Sequence, residues 1–174
     1  MFDLRVKNAQ MVTSSRVLSG ELYVKDGKVA AVTAPNAALP AKKTLDASFR
    51  TLLPGVIDPH VHAGHGTPER ETFRHASAAA AAGGITTILE QPLSVPITVT
   101  PEAFLAKKAA AEADFHVDFG IWGGLVPGAL QDMPAIAELG GGAFKSFMCR
   151  CSNYPSPNDG VLLEGLRILA TFRG

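Results

Sequence analysis

Pro54-Gly55-Val56-Ile57-Asp58-Pro59-His60-Val61-His62 divides the chain into two patterns of sequence. Upstream, Phe2, Leu4 and Val6 alternate with Asp3 and Arg5, the period-two signature of a half-buried strand. Residues 21–25 and 28–33 flank Asp26-Gly27, a pair suited to a two-residue hairpin turn. A Pro- and Ala-rich connector at 34–43 and a further stretch at 44–53 complete what reads as a small antiparallel sheet. Downstream, strand-like runs at 52–62, 84–91, 115–124 and 143–148 alternate with helical runs at 69–82, 101–113, 129–139 and 159–172. Gly83-Gly84 and Gly140-Gly141-Gly142 are helix stops before the next strand, while Thr100-Pro101 has N-cap and first-turn chemistry. This alternation predicts parallel βαβ units. Four units suit either a doubly wound sheet or half of an eight-fold barrel, and both architectures carry ligands at the C-terminal ends of their strands.

Bulk composition narrows the function classes. A chain of 174 residues can bury one sizeable core, or a small domain with part of a larger one. Lysine plus arginine number 16 and aspartate plus glutamate 16, so no basic footprint for nucleic acid or an anionic membrane is present. No run approaches about 18 apolar residues, and the start Met1-Phe2-Asp3-Leu4-Arg5-Val6 lacks the basic-then-apolar pattern of a signal peptide. Cys149 and Cys151 are the two cysteines, a number and spacing that suit reduced thiols and a cytoplasmic setting.

The chemistry lies at two strand ends. Side chains on a strand repeat every second residue, so His60 and His62 point the same way and can grip one metal ion from one face. The alternative is two histidines satisfied by backbone carbonyls. Asp58 shares that face and could orient an imidazole as a partner behind the metal ligands, or cap the following turn. Lys145, between Phe144 and Phe147 in the fourth strand run, is costly as a buried ammonium. Its amine could reach solvent at the rim, or, as the neutral amine, capture carbon dioxide and offer a carbamate that bridges two metals beside His60 and His62. Glu90 ends the second strand run and could bind a polar substrate or cap a loop. His65 could face the mouth of the sheet, whereas His75 and His116 read as structural or solvent-facing. Cys149 and Cys151 could be soft ligands but lack the four-ligand set of structural zinc, so they read as pocket-lining thiols. No phosphate-binding glycine loop and no Gly-x-Ser-x-Gly elbow occurs.

These motifs together resemble the amidohydrolase superfamily, in its cyclic-amide branch of dihydroorotases, hydantoinases (dihydropyrimidinases) and allantoinases. The stretch from Pro54 to His62 resembles the first-strand signature of that branch, Ala82-Gly83-Gly84-Ile85-Thr86-Thr87 its second, and Ala143-Phe144-Lys145 its carboxylated-lysine strand. The likeness runs over essentially the whole chain. Glu90-Gln91-Pro92-Leu93-Ser94 with Pro96 and Thr98-Val99, and Gly123-Gly124-Leu125-Val126, look most like allantoinases. Ala63-Gly64 stands where dihydroorotases tend to place a substrate-binding arginine, and Arg150 where dihydropyrimidinases tend to place a tyrosine. The loop at 63–72 departs from the glutamate-proline-glycine pattern of all these enzymes.

The resemblance implies an α/β fold: the first half of a TIM-type (β/α)8 barrel of about four βα units at 54–174, preceded by part of a small β-sandwich at 1–53. It implies ring opening of a cyclic amide, allantoin or a related hydantoin, by water at two divalent metal ions, zinc first and manganese or cobalt as alternatives. His60 and His62 would bind one ion, and Lys145, carboxylated by CO2, would bridge both. The general-base aspartate and two further histidines are expected beyond the chain end, so the chain is expected to be a fragment lacking them. The alternatives are a non-catalytic truncated product, a dihydropyrimidinase-type enzyme, two copies pairing to rebuild a barrel, or a flavodoxin-like module with an incidental His-x-His. A small-molecule substrate and a homo-oligomeric complete enzyme are the expected partners.

Overall fold

The computed structural model describes residues 1–151 and 153–172. The chain divides into two compact units, Met1–Pro54 and Gly55–Gly174. The first is one five-stranded sheet of β1 (Phe2–Val12), β2 (Val17–Lys25), β3 (Lys28–Thr33), β4 (Ala41–Asp46) and β5 (Thr51–Leu52), ordered β3-β2-β1-β4 with β5 also beside β1. Asp26 and Gly27 both take positive φ, 52° and 73°, as the tight hairpin between β2 and β3 requires. Val6, Ala9 and Met11 form the core of this unit with Leu4, Leu18, Leu22 and Leu52.

The sheet is mixed, a correction to the antiparallel expectation. β2 runs antiparallel to β1 and to β3, but β4 and β5 run parallel to β1. The chain leaves β3 at one edge and must cross to the far side of β1, so β4 enters in the direction of β1. Buried polar groups on β2 hold that crossing. The amide of Ala38 donates to Glu21 Oε2 at 3.1 Å and that of Leu39 to Tyr23 Oη at 3.0 Å. Arg5 and the Tyr23 hydroxyl also donate to the Glu21 carboxylate. Strand-forming residues alone do not say which edge a strand joins.

The second unit alternates β6 (Val56–Val61), α1 (Phe73–Ala82), β7 (Ile85–Glu90), α2 (Pro101–Asp114), β8 (Asp118–Gly124), α3 (Met133–Glu138), β9 (Ala143–Lys145) and α4 (Asp159–Leu169). Its four strands are all parallel and lie in chain order, β6-β7-β8-β9. A flavodoxin-like sheet reverses its strand order at a switch point, so that alternative does not describe these strands. Thr72, Thr100 and Asn158 cap α1, α2 and α4 through their side-chain oxygens, and Pro101 occupies the first turn of α2. Gly84 and Gly140 take the positive φ that ends a helix, 83° and 105°.

Several boundaries differ from expectation: β6 starts at Val56 and not 52, β8 at Asp118 and not 115, and α4 ends at Leu169 and not 172. Residues 69–71 belong to a loop, where the Gly64 amide donates to the Glu71 carbonyl, and α1 starts only after Thr72. The third helical run is split, a 3-10 turn at Leu130–Asp132 leading into α3, where Pro134 is tolerated in the first turn. β9 stops at Lys145, whose carbonyl accepts the last ladder bond, from the Leu125 amide at 2.8 Å, and also the Tyr154 hydroxyl at 3.1 Å. Phe104, Ile121 and Ile136 form one core cluster between helices and sheet, and Ala63, Phe73, Ala76 and Ala111 another. No helix among the described residues is long and apolar enough to cross a membrane.

Candidate metal centre

β6 delivers His60 near its C-terminal end and His62 just beyond it. Their alternation aims both rings the same way, with the Nε2 atoms 3.0 Å apart. Lys145, the last residue of β9, brings Nζ to 3.2 Å from His60 Nε2. First and fourth strands of a flat sheet lie about 14 Å apart, at about 4.8 Å per strand. Their side chains share a point because the sheet curls toward that face. The Lys145 ammonium position lies 4.9 Å from the centre of the Phe147 ring.

Electrostatics favours neutral nitrogen at this point. Burial, then the positive charge of Lys145, pushes His62 down to about 4, so its ring is neutral at pH 7. Burial also pushes Lys145 below the ordinary lysine range. His62 Nδ1 is buried without a hydrogen-bond partner. Three nitrogen donors could hold a cation here. Among the described residues no group of three His, Cys, Asp or Glu side chains does so, because the third donor is a lysine.

Asp58 hydrogen-bonds neither ring: its Oδ1 accepts the backbone amide of His60 at 3.0 Å, the turn-capping role that the sequence left open. Glu90 is fully buried and is a loop anchor, its Oε2 accepting the Ala63 amide at 2.9 Å. Its Oε1 lies 3.2 Å from Lys107 Nζ, which also donates to the Gln91 carbonyl. Burial pushes Glu90 up and Lys107 down, and each partner's charge opposes that shift in the other. His65 stacks on Phe73, with the rings parallel and centroids 5.9 Å apart, while His75 and His116 are exposed. Cys149 is exposed, and Cys151 is half-buried at the wall of a cavity of about 240 Å³. Thr67, Arg70, Leu93 and Ser94 also line that cavity, which lies among the loops following β6 and β7.

Sequence reasoning missed Lys107, Gln91 and Arg70. Arg70 donates to the Leu93 carbonyl at 2.7 Å and ties the two loops together. Lys107 had a readable signal: it falls with Phe104 and Ala111 on one face of α2, where an apolar residue is the rule. Gln91 had none, because its partner, the Pro59 carbonyl, is reached only through the fold.

No protein-family model matches the chain. An L-hydantoinase of Paenarthrobacter aurescens is 40% identical over 168 residues, covering 94% of this chain and 37% of the relative. An allantoinase of Solibacter usitatus is 38% identical over 172 residues, covering 96% and 37%. The solved structure of an L-hydantoinase (dihydropyrimidinase) from Arthrobacter aurescens superposes with a TM-score of 0.93 at 40% identity, covering 98% of this chain and 39% of that one. A dihydroorotase structure at 18% identity and a TM-score of 0.52 shares the fold over 81% of the chain. The chain thus spans little more than a third of the length of the relatives it matches. Likeness over nearly its whole length, in sequence and in backbone, makes hydantoinases and allantoinases homologues of this chain.

Proposed function

We propose that these residues form the metal-binding first part of an enzyme that opens a cyclic amide with water, the ring being allantoin or a related hydantoin. The approach of His62 Nε2 to 3.0 Å and of Lys145 Nζ to 3.2 Å from His60 Nε2 carries this reading. Two imidazole nitrogens on one ion at about 2.1 Å stand roughly 3.0–3.4 Å apart at ordinary bond angles, so the spacing suits a shared cation. The neutral His62 ring suits the same role.

His60 and His62 would hold one divalent ion, zinc first and manganese or cobalt as alternatives. Lys145 would reach the second after its neutral Nζ lone pair adds to the carbon of CO2 and an N–H proton leaves to water, giving a carbamate anion with two oxygens. Burial of Lys145 favours the neutral amine that this addition needs. Two bound ions would acidify water and polarise a ring carbonyl. The cavity lined by Arg70 and Thr67 would offer hydrogen-bonding groups to a ring substituent.

We read the four parallel strands in chain order as the first half of a (β/α)8 barrel, with Met1–Pro54 contributing part of a β-sandwich. The general-base aspartate and two further histidines would come from outside these residues, as the resemblance implies. Hydrolysis is therefore a property of the complete enzyme, read here as a cytoplasmic homo-oligomer. Chain supplied with zinc, manganese or cobalt and labelled bicarbonate is expected to bind metal and show a carbamate carbon resonance that Lys145→Ala abolishes. It is expected to leave allantoin, hydantoin and dihydrouracil intact. Absence of both metal and carbamate would favour a non-catalytic product.

A further inference from the structure

Between Asp58 and Val61, β6 carries one residue more than its partner β7: Asp58 pairs with Ile88 and Val61 with Glu90. Such a bulge removes ladder bonds and re-aims side chains, and it falls on Pro59-His60. Its backbone is nevertheless held at every second residue. Gln91 Nε2 donates to the Pro59 carbonyl at 3.0 Å, replacing a missing ladder bond. The Gln91 amide donates to the Val61 carbonyl at 2.9 Å. Glu90 accepts the Ala63 amide at 2.9 Å, and Lys107 from α2 holds both Glu90 and the Gln91 carbonyl.

Glu90, Gln91 and Lys107 are 0%, 2% and 0% exposed. None of their hydrogen bonds goes to the histidine rings. A buried ion pair is a poor way to attach a helix to a sheet, since apolar residues of similar volume commonly do as well or better. Its geometry here has a specific result: one carboxylate aimed at one amide, directly after His62.

We propose that Glu90, Gln91 and Lys107 are positioning residues that clamp residues 59, 61 and 63, so that the bulged edge strand presents His60 and His62 as a pair already spaced for one ion. The clamp acts on the histidines through their backbone and rests on the metal reading above for its purpose. Without it an edge strand with a bulge is free to relax, and the two rings lose a fixed separation.

The test uses the 174-residue chain and cobalt(II), whose visible absorption reports ligand geometry. Gln91→Leu, and the apolar double variant Glu90→Leu with Lys107→Met, are expected to stay folded by circular dichroism and thermal melting. Both are expected to bind cobalt about 10- to 100-fold more weakly than the unaltered chain, the range found when partners behind metal ligands are removed, with a shifted visible spectrum. In the metal-free chain, the ring-proton resonances of His60 and His62, assigned with His60→Ala and His62→Ala, are expected to shift or broaden in both variants. Those of exposed His75 and His116 are expected to stay. Unchanged cobalt affinity with unmoved His60 and His62 resonances in folded variants overturns the clamp. Cobalt binding that survives replacement of both histidines, or no binding by the unaltered chain, instead overturns the metal reading. The ring resonances then decide the clamp without it.

Discussion

Two buried glutamates, one in each unit, meet opposite fates. Glu21 in the first sheet receives the Arg5 guanidinium, the Tyr23 hydroxyl and the Ala38 amide, and the Arg5 hydrogen bond leads in holding its carboxyl down at about 2. Glu90 in the second sheet has one amide and one lysine, and burial prevails, pushing it up. Both side chains are 0–1% exposed, yet Glu90 is packed more deeply and burial weighs most on it, whereas Glu21 has more donors, one of them a guanidinium. A carboxylate fully supplied with donors is comfortable as an anion in the interior, whereas one with few becomes sensitive to the loss of any of them.

The most severe way to break this comparison is Lys107→Met alone, which leaves Glu90 buried without its cation. It should destabilise the second unit by about 3–5 kcal/mol in urea, followed through the single tryptophan, Trp122. The double variant with Glu90→Leu should recover most of that loss.

Glu21→Gln should cost the first unit about 2 kcal/mol, since hydrogen bonds to a charged group are lost or weakened while Arg5 stays partly buried. The pH dependence sharpens the contrast. The folded carboxyl of Glu21 lies below its unfolded value of 4.5, so its contribution is present above about 4.5 and disappears as pH falls toward 2. Glu90, raised on folding, has the opposite sign, and its ionisation costs stability as pH rises through 4.5 and above. Methyl resonances of Met11 and Ile121, followed in urea at pH 5 and pH 3, should show acid weakening at Met11 that Glu21→Gln removes.

The smallest expected effect is Thr100→Ala. Losing the cap on the Ala103 amide should cost about 1 kcal/mol by urea denaturation. Because α2 carries Lys107, the cost should fall on the second unit alone.

Much of this was legible from residues near one another. The Asp26-Gly27 hairpin, the Thr100 cap, the glycine helix stops and the convergence-ready His60 and His62 follow from turn chemistry and strand alternation. The mixed sheet was not legible, because β4 is placed by where residues 34–40 cross, and that crossing depends on Glu21 and Tyr23 offering acceptors to Ala38 and Leu39. Nor was the role of Glu90, which the sequence left between substrate contact and loop cap. Its partner Lys107 is 17 residues away on a different element.

Residue order settled the alternation of strands and helices and the shared direction of His60 and His62, because backbone geometry repeats over two or four residues whatever surrounds it. Bringing Lys145 to His60 across 85 residues, and threading Gln91 and Glu90 into the gaps of a bulged strand, was the work of the folded sheet. Those contacts depend on curl, register and burial, which arise only when distant segments exclude water together.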